Sequence, residues 1–169
     1  MRDCLVNKKV FLKKEFVVMS INAAFQRNQN VYKEQISELM KVRFRDFLEN
    51  FLVALPLCEL TEEILYKIID DLTVKTREYK DILKLGQLNY GTAQKLVNLY
   101  LKYLWCLDMA PEPPHCPIDR IILGKAGIYD ISWTKINSME EYISTINKIK
   151  KVSKDLSVAQ WELENYSRR

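Results

Sequence analysis

Apolar residues recur at helical spacing through most of the chain, and this pattern predicts an all-α protein. Between about Ser20 and Leu55 they return every three to five positions with charged residues between them, as on one face of a helix. Pro56 ends this first segment, because a proline ring cannot continue a helix. Its apolar members are Val31, Ile36, Leu39, Met40, Phe44, Phe47, Leu48 and Phe51.

Two further helices are predicted in the middle of the chain. One starts at Thr61, a favourable N-cap followed by two glutamates, which the helix dipole favours in a first turn. Its pattern extends the prediction as far as Leu83. The clearest helix runs from Thr92 to about Leu107, with a buried stripe typical of an amphipathic helix. That stripe comprises Leu96, Leu99, Tyr100, Tyr103, Leu104 and Leu107.

A proline-rich loop follows, in the stretch EPPHCPIDRIIL at residues 112–123. A short helix is predicted at Ile118–Leu123, then a glycine-containing loop that includes Trp133. Two capping boxes come next, each pairing a serine with a Glu or Gln three positions later. Ser138 opens a helix through about Lys151, and Ser157 opens one through about Tyr166. We therefore expect an orthogonal bundle of about five to seven helices.

The N-terminal residues fit this pattern less well. Residues 1–18 alternate weakly between apolar and polar, so a short strand, an arm or an extension before Met19 all remain open. With 169 residues and a mass of 20.0 kDa, one compact domain is the natural expectation. We expect an N-terminal extension or arm at residues 1–18 and a single helical domain at residues 19–169.

Composition and charge narrow the function classes. No apolar run approaches the roughly 18 residues needed to span a bilayer, so we expect no membrane association. The four cysteines are widely spaced and form no CxxC pair, as in reduced cytoplasmic proteins. The net charge of +4 is compatible with nucleic acid, although a solvated surface with a small lysine excess is the favoured explanation.

The chain contains one histidine and lacks the sequence motifs of several enzyme classes. There is no HExxH zinc helix, no GxSxG nucleophile elbow and no phosphate-binding glycine loop of the known kinds. His115 and Cys116 are adjacent in the proline loop, where neighbours tend to point apart, so a buried structural cysteine is favoured over a nucleophile. A zinc site from Cys58, Cys106, His115 and Cys116 matches no common ligand spacing. We expect no metal and no cofactor.

One constellation remains, between Gly86 and Leu123. Gly91 and Thr92 stand near the start of a predicted helix, where backbone N–H groups can bind an anion. Lys95, Asn98 and Lys102 then share one face of that helix, at 100° per residue. These residues suit a phosphate backbone, although an ordinary solvated helix face is the alternative.

The proline loop adds a carboxylate to this constellation. Asp119 follows Pro117 directly, which fits either a fixed functional carboxylate or a structural role. In the structural role, Asp119 caps the short helix or pairs with Arg120 or a lysine.

The order of these features resembles the helix-hairpin-helix DNA glycosylases (the HhH-GPD superfamily). YGTAQK (residues 90–95) is similar to the hairpin of that family and the lysine that follows it. CPIDRII (residues 116–122) is similar to the family's loop with an essential aspartate. The connector LGQLNYG departs from the Leu-Pro-Gly-Val-Gly core of that hairpin. The resemblance covers residues 86–123.

This resemblance implies a DNA-repair-like glycosylase and abasic-site lyase acting on a flipped-out base in DNA. Lys95 would be the amine nucleophile, with Lys102 as a fallback, and Asp119 would stabilise positive charge on the sugar. Trp105 and Trp133 are candidates to stack on the flipped base, and Tyr103 and Tyr129 are further aromatic candidates. The alternatives are a non-catalytic module that binds nucleic acid, and a small helical protein-interaction module, regulatory or defence-associated.

Overall fold

The computed structural model describes residues 2–25 and 31–167, with side chains from residue 7 onward. Within these ranges the protein is mostly helical and contains no β-strand, which confirms the all-α prediction. The helices are α1 Arg2–Phe25, α2 Glu38–Val53, α3 Glu62–Lys75, α4 Tyr90–Trp105, α5 Arg120–Lys125, α6 Met139–Ser153 and α7 Val158–Asn165. Two 3-10 turns lie at Thr76–Tyr79 and Trp133–Lys135.

Helix α4 is the centre of the bundle. Helices α1, α3 and α6 and the 3-10 turn at Trp133–Lys135 all pack against it, so its buried residues lie around most of its circumference. A helix that is buried on all sides belongs to the core of a protein. The polar residues of α4 are therefore surrounded by protein, which decides what they can contact. None of the described helices is both long enough and apolar enough to cross a membrane.

The N-terminal segment is helical and contributes to the core. Helix α1 is continuous across residue 18, so the boundary drawn there lies inside one helix. Phe16 and Val17 are buried, and the ring of Phe16 lies 5.4 Å from that of Tyr103 on α4. The expectation of a strand in this segment is wrong, because one face of the helix finds apolar partners on α4.

The helix predicted from Ser20 to Leu55 is interrupted. Its second part starts only at Glu38, and residues 31–33 pair with residues 82–84 through an isolated antiparallel bridge between Tyr32 and Leu83. The N–H of Lys33 donates to the carbonyl of Ile82 at 2.9 Å, and the N–H of Lys84 donates to that of Val31 at 3.0 Å. Apolar spacing alone did not show this break, because the side chains of Val31, Tyr32 and Ile36 also reach the core.

The next helix also ends earlier than predicted. Helix α3 stops at Lys75 and passes into a 3-10 turn instead of continuing to Leu83, which is buried and forms the bridge with Tyr32. The boundaries of α4 and α5 lie closer to the predicted ones. Helix α4 begins at Tyr90 and ends at Trp105, and α5 begins at Arg120 because Asp119 is its N-cap.

The predicted caps are where the sequence placed them. The hydroxyl groups of Thr61, Ser138 and Ser157 each accept a hydrogen bond from the N–H three residues later. An N-cap of this kind satisfies one of the N–H groups left without a partner at a helix start. These contacts are local in sequence, so short motifs predict them well.

Candidate functional site

Lys95 and Asp119 converge inside the bundle. The Nζ of Lys95 lies 3.7 Å from Oδ2 of Asp119, and the two residues are only 6% and 8% exposed. The same Nζ lies 4.4 Å from the ring centroid of Trp133. Three residues singled out from the sequence therefore form one cluster, in which a carboxylate and an aromatic face contact one ammonium group.

Asp119 has a structural contact as well. Its Oδ1 accepts hydrogen bonds from the N–H groups of Ile121 at 2.8 Å and Ile122 at 3.0 Å, so it caps α5. Its Oδ2 is the oxygen that faces Lys95. The two structural roles considered for Asp119, a cap and an ion pair, are thus both present. The cap uses Oδ1, and the ion pair with Lys95 uses Oδ2.

Gln94 holds the proline loop against α4. Its Nε2 donates to the carbonyl of Ile118 at 2.8 Å, and its Oε1 accepts from the N–H of Ile118 at 3.1 Å. Gln94 directly precedes Lys95, and Ile118 directly precedes Asp119, so this pair of bonds fixes the two reactive candidates relative to each other. Our sequence interpretation missed Gln94, although an uncharged polar residue beside Lys95 in a largely apolar helix was a visible signal.

A buried hydrogen-bonded network extends from Gln94. The Nδ2 of Asn98 donates to Oε1 of Gln94 at 3.3 Å and to the hydroxyl of Tyr142 at 3.0 Å. That hydroxyl lies 2.8 Å from Nδ1 of His115. Asn98 is fully buried and is engaged inside the protein. It does not lie on a solvated face, which excludes that alternative for this residue.

His115 is an internal member of this network. Because Asn98 donates to the Tyr142 hydroxyl, that hydroxyl can donate its own proton to Nδ1 of His115, which leaves the ring proton on Nε2. Nε2 faces the carboxylate of Glu62 at 3.7 Å, and Glu62 also pairs with Lys150. Burial lowers the pKa of His115 to about 4, so the imidazole is neutral at neutral pH.

Lys102 is also paired within the protein. Its Nζ donates to both carboxylate oxygens of Glu162, at 2.9 and 2.6 Å, and lies 4.7 Å from the ring centroid of Tyr166. Burial raises the pKa of the Glu162 carboxyl, and the attraction of Lys102 opposes that shift. Glu162 was missed because it is 60 residues from its partner, beyond the reach of any local motif.

The N–H groups at the start of α4 already have protein acceptors. Gly91 donates to the carbonyl of Ile136 at 2.9 Å, and Thr92 donates to Oδ1 of Asn89 at 2.9 Å. A Cβ on Gly91 would lie 1.7 Å from the carbonyl oxygen of Trp133. The expectation of free N–H groups for a phosphate is wrong, because the segment at residues 133–136 packs directly on this helix terminus.

The aromatic candidates for base stacking occupy different places. Trp133 is buried at the site, whereas Trp105 is the last residue of α4, about 15 Å along the helix axis from Lys95. Tyr103 packs on Phe16. Tyr129 is 84% exposed.

The three cysteines whose side chains the structure describes differ in exposure. Cys58 and Cys106 are exposed, whereas Cys116 is buried. In the part of the chain that the structure describes, no three His, Cys, Asp or Glu residues are placed to hold a metal ion. Burial raises the pKa of the Cys116 thiol well above its usual range, as expected of a structural cysteine.

Comparison with known proteins gives no match to any family model, any curated protein or any solved structure. The chemistry of the site therefore rests on its own residues. A lysine amine, a carboxylate and an indole face within a few ångströms can act on an electrophilic carbon, provided that the amine loses its proton. The same groups can also form a static internal ion pair.

Proposed function

We propose that the protein is a DNA glycosylase-like lyase that acts on a flipped-out base, with Lys95 as nucleophile and Asp119 as the assisting carboxylate. The observation that supports this most is the 3.7 Å approach of Lys95 Nζ to Asp119 Oδ2. Both residues lie in the segment that resembles the helix-hairpin-helix DNA glycosylases. Trp133 packs against Lys95, and an aromatic ring beside the nucleophile is the kind of side chain that stacks on an extruded base.

The reaction needs a neutral amine, whereas the resting contacts favour an ammonium group. Both a carboxylate and an aromatic face stabilise the charged form of a lysine. Asp119 Oδ2, 3.7 Å from Nζ, accepts that proton once the entering substrate brings the two groups within hydrogen-bond distance. Lys95 Nζ then attacks the sugar carbon C1′, and the C1′–N bond breaks with its electron pair leaving on the base. Asp119 returns the proton to the departing base and faces the cationic adduct as a carboxylate.

Borohydride trapping tests this proposal directly. DNA that contains an abasic site presents an aldehyde, which a lysine amine converts into a Schiff base that borohydride reduces to a stable adduct. We expect the intact chain to give a protein–DNA adduct on a denaturing gel and Lys95→Gln to give none. Lys151→Gln is the matched control, because Lys151 is an exposed lysine on α6, and it should trap like the parent.

The Asp119 variant separates catalysis from folding. We expect Asp119→Asn to keep the cap of α5, since an asparagine side-chain oxygen also accepts from backbone N–H groups. The variant loses the proton acceptor for Lys95, so the adduct should form at least about tenfold more slowly. A parent protein that binds the DNA without forming an adduct would contradict the lyase proposal.

A non-catalytic interaction module is the second candidate. It is favoured by the fact that Asp119 has complete structural contacts of its own, as cap and ion-pair partner. A groove of about 500 Å³ between α2 and α3 also offers an apolar surface for a protein; it is lined in part by Phe47, Phe51, Leu55, Pro56, Ile64 and Ile68. DNA affinity that is absent, or insensitive to salt between 50 and 200 mM, would favour this candidate over DNA binding.

A further inference from the structure

The groove between α2 and α3 lies on the surface of the bundle. Helix α2 packs on α1, whereas α3 packs on α4, so different neighbours hold the two helices and a gap of about 500 Å³ lies between them. Its apolar lining comes from both helices and includes Phe47, Phe51, Ile64 and Ile68. An apolar groove that a single chain leaves open is typical of an interaction surface.

A ridge of four charged side chains on α3 runs along this groove. The charges alternate in sign at intervals of four residues and belong to Glu63, Lys67, Asp71 and Lys75. All four side chains are exposed, and the last three line the groove. Residues four apart on a helix are close enough to pair with each other. Nevertheless, among the described residues none of the ion pairs within 4 Å involves this charged ridge, so its carboxylates and ammonium groups can pair with charges on another molecule.

The charged ridge is complementary to itself when two copies of α3 lie antiparallel. In an antiparallel pair centred on residue 69, Glu63 faces Lys75 of the second copy. Lys67 then faces Asp71 of the second copy. Each of these contacts occurs twice, as in an isologous dimer with a twofold axis. One register therefore pairs every charge of the ridge with a charge of opposite sign.

The same register also matches apolar side chains. Ile64 lies opposite Val74 of the second copy. Val74 is 43% exposed, and Ile64 lines the groove, so this contact removes apolar surface from water. Ridges of residues four apart are the ones that interdigitate in the commonest class of helix packing. A second copy would thus cover the groove with apolar contacts as well as with charge pairs.

We propose that the charged ridge of α3 and the adjoining groove form an isologous, antiparallel interface with a second copy of this chain. Charge complementarity selects this occupant, because the ridge itself carries the pattern of charges that its partner needs. The charges also fix the register, since a shift by one helical turn places like charges opposite each other. The inference does not depend on the lyase proposal, because neither Lys95 nor Asp119 lines this groove.

Sedimentation equilibrium of the full chain tests this interface. We expect the parent to approach twice the chain mass of 20.0 kDa as its concentration rises to about 100 µM, which detects even a weak dimer. Lys67→Glu places a carboxylate opposite Asp71 of the second copy at two symmetry-related points, so it should raise the dimer Kd at least about tenfold. Lys151→Glu makes the same charge change at an exposed position of α6 and should match the parent.

An exchange of charges separates the interface from any effect on folding. Asp71→Lys alone should weaken the dimer as Lys67→Glu does, because it places two lysines opposite each other. The double variant Lys67→Glu/Asp71→Lys restores opposite charges in the same register. Its dimer Kd should therefore return to within about threefold of the parent value. Raising the salt concentration should weaken the parent dimer, since the charge pairs lie at the surface.

Three results would each overturn the inference. The first is a parent that stays monomeric over this concentration range, in which case a second copy is not the occupant of the groove. The second is an equal effect of Lys67→Glu and Lys151→Glu, and the third is a double variant that dimerises as weakly as Lys67→Glu. Borohydride trapping reads only the chemistry of Lys95, so the lyase proposal and the dimer stand or fall separately.

Discussion

The side-chain amide of Gln94 binds both backbone polar groups of Ile118, at 2.8 and 3.1 Å. Because these residues directly precede Lys95 and Asp119, the bonds act as a clamp between α4 and the proline loop. The position of the Asp119 carboxylate beside Lys95 thus depends on a neighbour that has no role in the proposed chemistry. Positioning by buried hydrogen bonds of this kind gives a site its geometry.

Loss of this clamp should destabilise the protein. We expect Gln94→Ala to lower the free energy of unfolding by about 2–4 kcal/mol, because it leaves a buried N–H and a buried carbonyl without partners. Urea denaturation followed by circular dichroism measures this. Gln160→Ala is the control, since its hydrogen bond to Glu112 is exposed, and it should cost less than about 1 kcal/mol. Equal losses in the two variants would contradict the clamp.

Two glycines should respond oppositely to alanine. A Cβ on Gly91 would lie 1.7 Å from a backbone oxygen of Trp133, whereas one on Gly124 would meet nothing within 4 Å. We expect Gly91→Ala to cost about 3 kcal/mol or more, because backbone must move to make room. Gly124→Ala should gain up to about 1 kcal/mol, because alanine restricts the unfolded chain. Chemical denaturation of both variants checks the contrast, and a tolerated Gly91→Ala would refute the packing of Trp133 on α4.

Acidification should destabilise the protein through His115. Its pKa is about 4 when folded and near 6.5 when unfolded, so the unfolded chain binds more protons between these values. Stability is therefore fully present above about pH 6.5 and is lost as the pH falls toward 4. From pH 7 to pH 5 we expect this residue alone to cost about 2 kcal/mol.

Other groups that titrate nearby require a difference measurement. Glu62 has a lowered pKa, so its contribution to stability is lost only below about pH 4.5. Glu162 has a raised pKa, so its contribution has the opposite sign. We therefore expect His115→Gln to show a weaker loss of unfolding free energy than the parent between pH 7 and pH 5. Parallel pH profiles would contradict a buried neutral imidazole.

Cysteine labelling should divide the thiols by burial. We expect iodoacetamide at neutral pH to modify Cys58 and Cys106, which are exposed, and to leave Cys116 unmodified. The raised pKa of Cys116 keeps it as a thiol, and only the thiolate reacts rapidly. Mass spectrometry of peptides from native and denatured protein measures this. If Cys116 in the native protein were modified as fast as Cys58, this would contradict a buried structural thiol and favour Cys116 as a nucleophile.

Helix starts could be predicted because their determinants are local. Thr61, Ser138 and Ser157 each cap the helix that follows them, and each contact spans three residues. The interruption between α1 and α2 could not be predicted in this way. It depends on two hydrogen bonds, from the N–H of Lys33 to the carbonyl of Ile82 and from the N–H of Lys84 to that of Val31, and no short window of sequence contains both partners of either bond.

The sequence by itself determined the all-α fold, the caps, and the placement of Lys95, Asn98 and Lys102 on one face of a helix, since these follow from helical geometry. Only the tertiary structure decided what covers that face. Asp119, Tyr142 and Glu162 reach it from later elements. A face that could have been solvated is therefore buried among charges and rings. Helical periodicity is a local property, whereas the burial and partners of a polar group depend on distant parts of the chain.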